Sequence, residues 1–253
     1  MRRSDRLDRG DGVALAFAHL PGSAPTIVFL PGFRSDMQGS KALFLREHCA
    51  ARGQAMLRLD YSGHGESGGA FTDGSIGQWT EDAARVIDAR VGGDMILIGS
   101  SMGGWIALLL ALRFGPRVAG LIGIAAAPDF TENLMWDSMM PAERDALMRD
   151  GSISTPSQYG EPMVITRHLI EEGRSHLLLA EPIALHCPIR LLQGQLDPDV
   201  PWETALKLSD ALETDNVQTT LIKDGDHRLS RPEDMALLGR TLDALLSEYP
   251  GEA

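Results

Sequence analysis

Residues 95–108 read Met-Ile-Leu-Ile-Gly-Ser-Ser-Met-Gly-Gly-Trp-Ile-Ala-Leu, and they contain the pattern Gly-x-Ser-x-Gly centred on Ser101. The apolar run before the pattern predicts a buried strand, and the residues after it predict a helix. A serine at such a strand–turn–helix junction is raised over the edge of a sheet, where it acts as a nucleophile. Ser100 is the alternative nucleophile, but only Ser101 has flanking glycines in register. The purely structural interpretation is a glycine-rich turn whose serine caps the helix.

Short apolar runs alternate with helical patterns on both sides of this stretch. Several runs are continuously apolar, as expected for parallel strands that are covered on both faces. The alternation predicts an α/β fold with a mostly parallel central sheet and helices on both of its faces. The predicted strands are Val13–Ala18, Thr26–Leu30, Ala55–Leu59, Met95–Gly99, Ala119–Ile124, Ile189–Gln193 and Gln218–Ile222. The predicted helices are Lys41–Arg52, Thr80–Arg90, Met102–Phe114, Trp202–Leu212 and Met235–Leu246.

Residues 128–188 interrupt this alternation, because they contain no clear strand and are rich in Met, Pro and charged residues. An insertion of this length in a compact domain is usually functional. We therefore expect residues 1–127 and 189–253 to form the core, and residues 128–188 to form a helical cap over the sheet's carboxyl edge. Apolar side chains expected to join the cap to the sheet or to line a pocket are Met135, Trp136, Met139, Met140, Met148, Met163 and Leu177–Leu179.

A serine hydroxyl becomes an effective nucleophile when a neighbouring base takes its proton. On this type of turn, the serine is followed along the chain by an acid and then by a histidine. His227 is the only histidine after the last predicted strand, so we predict that it is the base. Asp197 follows the preceding predicted strand directly and is the candidate acid that orients the histidine. Two other aspartates stay open: Asp199, which suits the first turn of the next helix, and Asp129, which follows an earlier strand.

An oxyanion that forms at an attacked carbonyl needs two backbone N–H donors. One donor comes from the residue after the nucleophile, and the other comes from the loop after an earlier strand. The sequence Leu-Pro-Gly-Phe at residues 30–33 ends such a strand. We therefore assign the two donors to Met102 and Phe33; the alternative for Phe33 is a turn residue that only packs.

Together, these motifs resemble the α/β-hydrolase superfamily and, within it, the mitochondrial palmitoyl-protein thioesterase and acyl-glucuronide esterase group with its bacterial relatives. The resemblance covers nearly the whole chain and implies a serine esterase or thioesterase with Ser101, Asp197 and His227 as its catalytic triad. It does not imply a particular acyl or leaving group, because substrate identity transfers less safely than mechanism. The blocks that carry it are residues 29–42, 60–63, 99–105, 156–159, 187–202 and 226–228.

Composition and charge narrow the classes of partner. The formal net charge of −12 argues against nucleic-acid binding, which requires basic residues at the phosphates. No apolar run approaches the ~18 residues of a membrane span. Since Met1-Arg2-Arg3 is followed by no apolar signal region, we expect a cytoplasmic protein. Cys49 and Cys187 are widely separated, so we expect two reduced thiols.

One motif suggests a dinucleotide site. Residues 63–68 match Gly-x-Gly-x-x-Gly after a predicted strand. No helix is predicted to begin at Gly68, as a dinucleotide site requires, so we expect no such site. The longer stretch from Asp60 to Ser67 resembles a turn that braces the active-site loops of α/β-hydrolases. The histidines have no spacing typical of metal ligands. We therefore expect neither a cofactor nor a metal.

The sequence thus predicts a serine hydrolase that cleaves carboxylic ester or thioester bonds through an acyl-enzyme. Its expected partner is a small-molecule ester or acyl-thioester, or an acylated protein. The alternatives are a non-catalytic receptor or scaffold with the same fold, and a lactone-cleaving or haloperoxidase-like activity that uses the same triad.

Overall fold

The computed structural model describes residues 4–155 and 162–250 of the chain; the block at residues 156–159 lies outside them. The strands of the described residues are β1 (Asp5–Asp8), β2 (Ala14–Leu20), β3 (Ser23–Leu30), β4 (Gln54–Leu59), β5 (Met95–Ser100), β6 (Val118–Ile124), β7 (Ser152–Thr155), β8 (Met163–Thr166), β9 (Ile189–Gly194) and β10 (Val217–Ile222). The α-helices are α1 (Ser40–Arg52), α2 (Ile76–Arg90), α3 (Met102–Phe114), α4 (Pro141–Asp150), α5 (Arg167–Gly173), α6 (Glu203–Ala211) and α7 (Pro232–Glu248). None of these helices combines the length and apolar composition that crossing a bilayer requires.

Eight strands form one sheet in the order β1-β2-β4-β3-β5-β6-β9-β10. Strand β2 is antiparallel to β1 and β4, and every other neighbouring pair is parallel. The chain leaves β3 toward β4 and returns from β4 to β5, so the strand order reverses between β3 and β5. Ligands of open α/β sheets bind outside the carboxyl ends of the strands at such a switch point. The mostly parallel sheet predicted from the sequence is confirmed.

Successive side chains of the central strands point to opposite faces of the sheet, as strand geometry requires. In β5, Ile96 and Ile98 pack in a cluster with buried residues of α1 and α7. Met95 and Leu97 pack in a second cluster with residues of α2, α3 and α6. Each such buried side chain contributes about 1.5–3 kcal/mol to folding. The two clusters confirm that helices cover both faces of the sheet.

The described part of residues 128–188 lies outside the main sheet, and some of its residues form a third, smaller cluster of buried side chains around Leu147, Ile165 and Ile170. The expectation that this segment contains no strand is wrong, because β7 and β8 pair with each other in antiparallel register. Both strands have only four residues, and β7 reads Ser-Ile-Ser-Thr. Such a short alternation with one apolar residue gives almost no periodic signal.

The edge strand β1 was also not predicted from the sequence. It reads Asp-Arg-Leu-Asp and pairs antiparallel with β2, from Asp5 opposite Phe17 to Asp8 opposite Ala14. Leu7 is its one apolar residue, so the pattern resembles a solvated loop. The charged side chains suit an edge strand, because they discourage pairing with another chain.

Candidate active site

Ser101 occupies the sharp turn between β5 and α3 in a strained backbone conformation. Its φ is 55° and its ψ is −121°, outside the regions that residues with a side chain normally adopt. The surrounding backbone holds it there, since the Ser101 N–H donates to the Ile124 carbonyl at 2.9 Å and its carbonyl accepts the Gly104 N–H at 2.8 Å. Strain of this type persists where the surrounding structure over-determines the conformation, and it is concentrated at functional sites.

The two glycines of the motif are required by close backbone contacts. A Cβ added to Gly99 would lie 2.1 Å from the Gly103 carbonyl oxygen. A Cβ added to Gly103 would lie 2.1 Å from the Leu30 carbonyl oxygen, at the end of β3. The absence of these atoms lets α3 begin directly against β5 and β3. The Gly-x-Ser-x-Gly spacing therefore follows from the geometry of the turn.

His227 and Asp197 lie beside Ser101 in a continuous hydrogen-bonded chain. His227 Nε2 is 3.1 Å from Ser101 Oγ, and His227 Nδ1 is 2.8 Å from Asp197 Oδ2. Asp197 follows β9, and His227 follows β10, so both project from the carboxyl edge of the sheet. Since Nδ1 faces a carboxylate, it carries the proton, and Nε2 is left to accept the proton of the serine hydroxyl.

The Asp197 carboxylate has no exposed side-chain surface, and its two oxygens are fully engaged. Oδ1 accepts the N–H groups of Asp199 and Val200, each at 2.9 Å. Oδ2 accepts the amide of Gln193 at 3.0 Å in addition to His227. Burial by itself raises the pKa of Asp197, but the hydrogen bond and charge of His227, with the two backbone donors, outweigh it and lower the pKa below its ordinary value. The carboxylate is therefore ionised and fixed in place.

The alternative residues occupy different positions. Ser100 is the last residue of β5 and is buried. The Asp129 carboxylate accepts the N–H groups of Leu178 and Leu179 at 2.8 and 2.9 Å, so it joins the beginning of residues 128–188 to a later part of the same segment. Asp199 lines the same cavity as Ser101 and donates its N–H to Asp197. The structure thus brings Ser101 and Asp197 together with the imidazole between them.

Phe33 and Met102 were the predicted oxyanion donors, and both lie in the same cavity wall as Ser101. Gly32 allows the loop after β3 to approach the serine, since a Cβ there would be 3.3 Å from the Ser101 Cβ. Within the described part of the chain, no acceptor takes the N–H of Phe33 or Met102. The Phe33 ring packs edge-to-face against Phe71 at 4.9 Å, so the side chain anchors the loop while the N–H stays available. Both assignments stay predictions.

Asp60 braces the loop that carries Phe33. Its carboxylate accepts the N–H of Met37 at 2.7 Å and that of Glu66 at 2.8 Å. Arg58 donates to the Met37 carbonyl at 2.6 Å. Burial raises the pKa of Asp60 to about 6. The turn that matched a dinucleotide motif therefore contacts the active-site loop, as its resemblance to the bracing turn of hydrolases implied.

A cavity of about 830 Å³ opens over Ser101 and His227. Its volume is within the usual range for small-molecule sites. Residues 128–188 contribute an apolar part of its lining, namely Phe130, Leu134, Met135 and Met163. The loop after β3 and the start of α1 contribute a polar part, namely Arg34, Ser35, Asp36, Ser40 and Lys41.

The apolar residues that were expected to line the cavity or to join the cap to the sheet lie in different environments. Met135 and Met163 line the cavity, whereas Met139 is buried in the third cluster and Trp136 packs against it. Met140 is 66% exposed and is not among the described residues that line the cavity. Phe130 and Leu134 were missed, because no periodic pattern distinguishes a pocket wall from a packed helix turn. The remaining expected residues are Met148 and Leu177, both exposed, and Leu178 and Leu179, which pack against the main core.

Among the described residues, one group offers three metal-ligand atoms within 4.8 Å of one another: Asp197, Asp199 and His227. Two of the three are the residues already joined by the 2.8 Å hydrogen bond. A cation there would compete with the imidazole proton for the Asp197 carboxylate. Metal binding at these atoms and the hydrogen bond between His227 and Asp197 are therefore mutually exclusive.

Comparison with known proteins finds relatives that are similar to this chain over nearly its whole length. Residues 23–155 match the family model described as serine aminopeptidase, S33. The human mitochondrial palmitoyl-protein thioesterase ABHD10 is 38% identical over 244 residues, which are 96% of this chain and 79% of that protein. The mouse α/β hydrolase domain-containing protein 10 superposes with a TM-score of 0.90 at 35% identity, covering 98% of this chain and 99% of that one. A crystal structure from Agrobacterium vitis S4 gives a TM-score of 0.91 at 42% identity, covering 96% and 97%.

Proposed function

Because the chain belongs to the α/β-hydrolase family, we propose that it is a serine hydrolase with Ser101 as nucleophile, His227 as base and Asp197 as the acid. The observation that carries this proposal is the chain of two hydrogen bonds from Asp197 through His227 to Ser101, at 2.8 and 3.1 Å. These contacts are within the reach that proton transfer requires. The strained backbone of Ser101 supports the same assignment, because strain of this type is concentrated at functional sites.

The proposed reaction is acyl transfer in two steps. His227 takes the hydroxyl proton while Ser101 Oγ attacks the ester or thioester carbonyl, and the resulting oxyanion accepts the N–H groups of Phe33 and Met102. The imidazolium then gives its proton to the leaving group, which departs and leaves an acyl-enzyme. In the second step His227 activates water, which releases the acid and restores the serine. Asp197 stays ionised throughout and stabilises the imidazolium.

We propose that the substrate is an ester or thioester with an apolar acyl group. Phe130, Leu134, Met135 and Met163 form the apolar part of the cavity lining. Methionine adapts to irregular apolar ligands, because its side chain is unbranched and flexible. The human relative is described as a palmitoyl-protein thioesterase, which supports a thioester with an alkyl chain. Residues 128–188 act in this proposal as a cap over the acyl chain.

The length of the acyl chain is expected to control kcat/KM. Each additional buried methylene contributes about 0.8 kcal/mol, so kcat/KM is expected to rise about four-fold per carbon until the cavity is full. The measurement is kcat/KM for a series of acyl-thioesters from two carbons upward, with matched p-nitrophenyl esters as the control for the leaving group.

A steady fall of kcat/KM with chain length would contradict the apolar acyl pocket and would favour a small-ester hydrolase. If no ester or thioester is turned over, the proposed function itself is wrong. Binding of an acyl ligand by a protein without turnover would then favour the non-catalytic receptor of this fold.

The pH dependence of activity is expected to show one ionisation on the acid side. The pKa of Asp197 lies below its ordinary value, so this carboxylate stays charged as the pH falls from neutral into the mildly acidic range. We expect a loss of activity between about pH 8 and pH 5, where imidazoles become protonated. Asp60 also titrates in this range, with a pKa of about 6, so the loss is assigned to an imidazole if Asp60→Asn retains it. The measurement is kcat/KM for one ester across this range. A flat profile would count against a histidine base.

A further inference from the structure

The first turn of α1 is tied to the loop that carries His227. Lys41 Nζ donates a hydrogen bond to the carbonyl oxygen of Arg228 at 2.5 Å. Arg228 is the residue directly after His227. One residue before Lys41, the Ser40 hydroxyl lies 3.3 Å from the hydroxyl of Ser230. Two consecutive residues of α1 thus contact the backbone or side chains just beyond the histidine.

We propose that Lys41 is a positioning residue that fixes the backbone of the histidine loop, so that His227 Nε2 faces Ser101 Oγ. The inference rests on the proposed function of that serine. Lys41 acts through the Arg228 carbonyl and takes no part in bond making or breaking. Lys41 lies in the block of residues 29–42 that carries the family resemblance, but the sequence did not predict this role, because the contact joins positions 187 residues apart in the chain.

The other side-chain contacts of the histidine loop described below do not connect it to α1. Asp226 Oδ1 accepts the Leu229 N–H at 2.9 Å, which closes a short turn around His227. Arg231 pairs with Asp234 at 2.9 Å and with Asp224 at 2.7 Å, beyond the two ends of that turn. These contacts fix the loop's shape and its attachment to α7. The hydrogen bond from Lys41 joins the residue beside His227 to the first turn of α1.

The charges around Lys41 favour a strong hydrogen bond. Burial lowers the pKa of Lys41 to about 8, with the charge of Arg228 acting in the same direction. The charges of Asp226 and Asp234 oppose this effect. The ammonium form therefore predominates at neutral pH, and a charged donor makes a hydrogen bond roughly twice as strong as a neutral one. The carbonyl beside His227 is thus held more firmly than by an ordinary polar contact.

A direct contact with substrate is the competing role for Lys41, because its side chain also lines the cavity. The two roles differ in their kinetic signature. A misplaced base slows the chemical step, so kcat falls while KM changes little. A lost substrate contact raises KM with little change in kcat. Reaction of Ser101 with a small fluorophosphonate adds a second readout, because this probe is too small to need a contact at Lys41.

The experiment compares Lys41→Met, Lys41→Gln and Lys41→Arg with the wild-type protein, and Lys223→Met serves as control. Lys223 precedes the same histidine in the chain, is exposed and does not line the cavity. We expect Lys41→Met to lower kcat and the labelling rate of Ser101 by about ten-fold, since small misplacements of reacting groups have effects of this order or larger. KM is expected to stay within about two-fold. The kcat of Lys41→Gln, which keeps an uncharged donor, should lie between those of Lys41→Met and the wild type. Lys41→Arg should restore most of kcat. Lys223→Met should match the wild type in kcat and labelling rate.

Wild-type kcat and labelling rate in Lys41→Met would overturn the proposal, and so would a rise in KM at unchanged kcat. Circular dichroism and the midpoint of thermal unfolding show whether each variant is folded. If Lys41→Met does not fold, Lys41→Gln decides, and unchanged kcat in it overturns the proposal. An inactive and unlabelled wild-type protein would overturn the proposed function together with this inference, whereas active wild-type protein with unchanged Lys41 variants would overturn the inference alone.

Discussion

Replacement of Ser101 by alanine is expected to abolish covalent labelling by a fluorophosphonate and to reduce kcat by at least about 10³-fold. A nucleophile and its base act as a unit in catalysis, and loss of the nucleophile reduces kcat by this much or more. The Ser101 hydroxyl is 3.1 Å from His227 Nε2, so its removal leaves the base without the proton that it is placed to accept. The fold is expected to survive, since alanine differs from serine by one oxygen atom. Mass spectrometry of the labelled protein and steady-state kinetics on one thioester measure the two effects.

Ser100→Ala is the matched control, because it removes the same oxygen atom from the preceding residue. Ser100 ends β5 and is buried, so its variant is expected to keep both labelling and turnover. Labelling of Ser100, or full turnover by Ser101→Ala, would show that the nucleophile is assigned wrongly. Thermal unfolding of both variants controls for a loss of folded protein.

Asp197→Asn is expected to reduce kcat by about 10³- to 10⁴-fold, the size of effect seen when an amide replaces the carboxylate of a serine triad. The amide cannot stabilise an imidazolium, and its NH₂ group favours the wrong imidazole tautomer. The change also places an N–H donor where Oδ1 now accepts two backbone N–H groups, or where Oδ2 accepts His227 and Gln193. Steady-state kinetics measure kcat.

Asp199→Asn provides the comparison, since it makes the same chemical change two residues away. Asp199 also lies near His227, because their ligand atoms are within 4.8 Å of each other. Its carboxylate nevertheless lacks the 2.8 Å bond to Nδ1 that Asp197 has, so its loss is expected to change kcat by less than about ten-fold. If Asp199→Asn had the larger effect, the acid would have been chosen wrongly.

The fold could be predicted from the sequence because its central strands are buried on both faces. The apolar run Met95–Gly99 predicts a strand from local sequence alone, and the observed strand ends one residue later, at Ser100. The helix Met102–Phe114 was predicted with its observed bounds, since the glycine-rich turn marks its start. Strand β1 and the β7–β8 pair were missed because they are short and only partly buried. Tertiary pairing stabilises them, and no local pattern reports it.

The candidate site residues were predicted from order and position, and the structure places His227 within hydrogen-bond distance of both Asp197 and Ser101. Their catalytic roles, and those of Phe33 and Met102, stay predictions until the variants are measured. The expected cytoplasmic location also stays a prediction, and the human relative is described as mitochondrial. The cavity wall could not be predicted, because it depends on how residues 128–188 pack on the sheet.

The contact between Ser101 and His227 also has a consequence for folding. It joins residues 126 positions apart, so closing it requires the intervening chain to be in place. The nucleophile turn lies between β5 and α3, whereas His227 follows β10, which pairs with β9, and β9 pairs with β6. We therefore expect Ser101 to react with a fluorophosphonate only in chains that have added β9 and β10 to the sheet, so that its reactivity would report completion of the sheet.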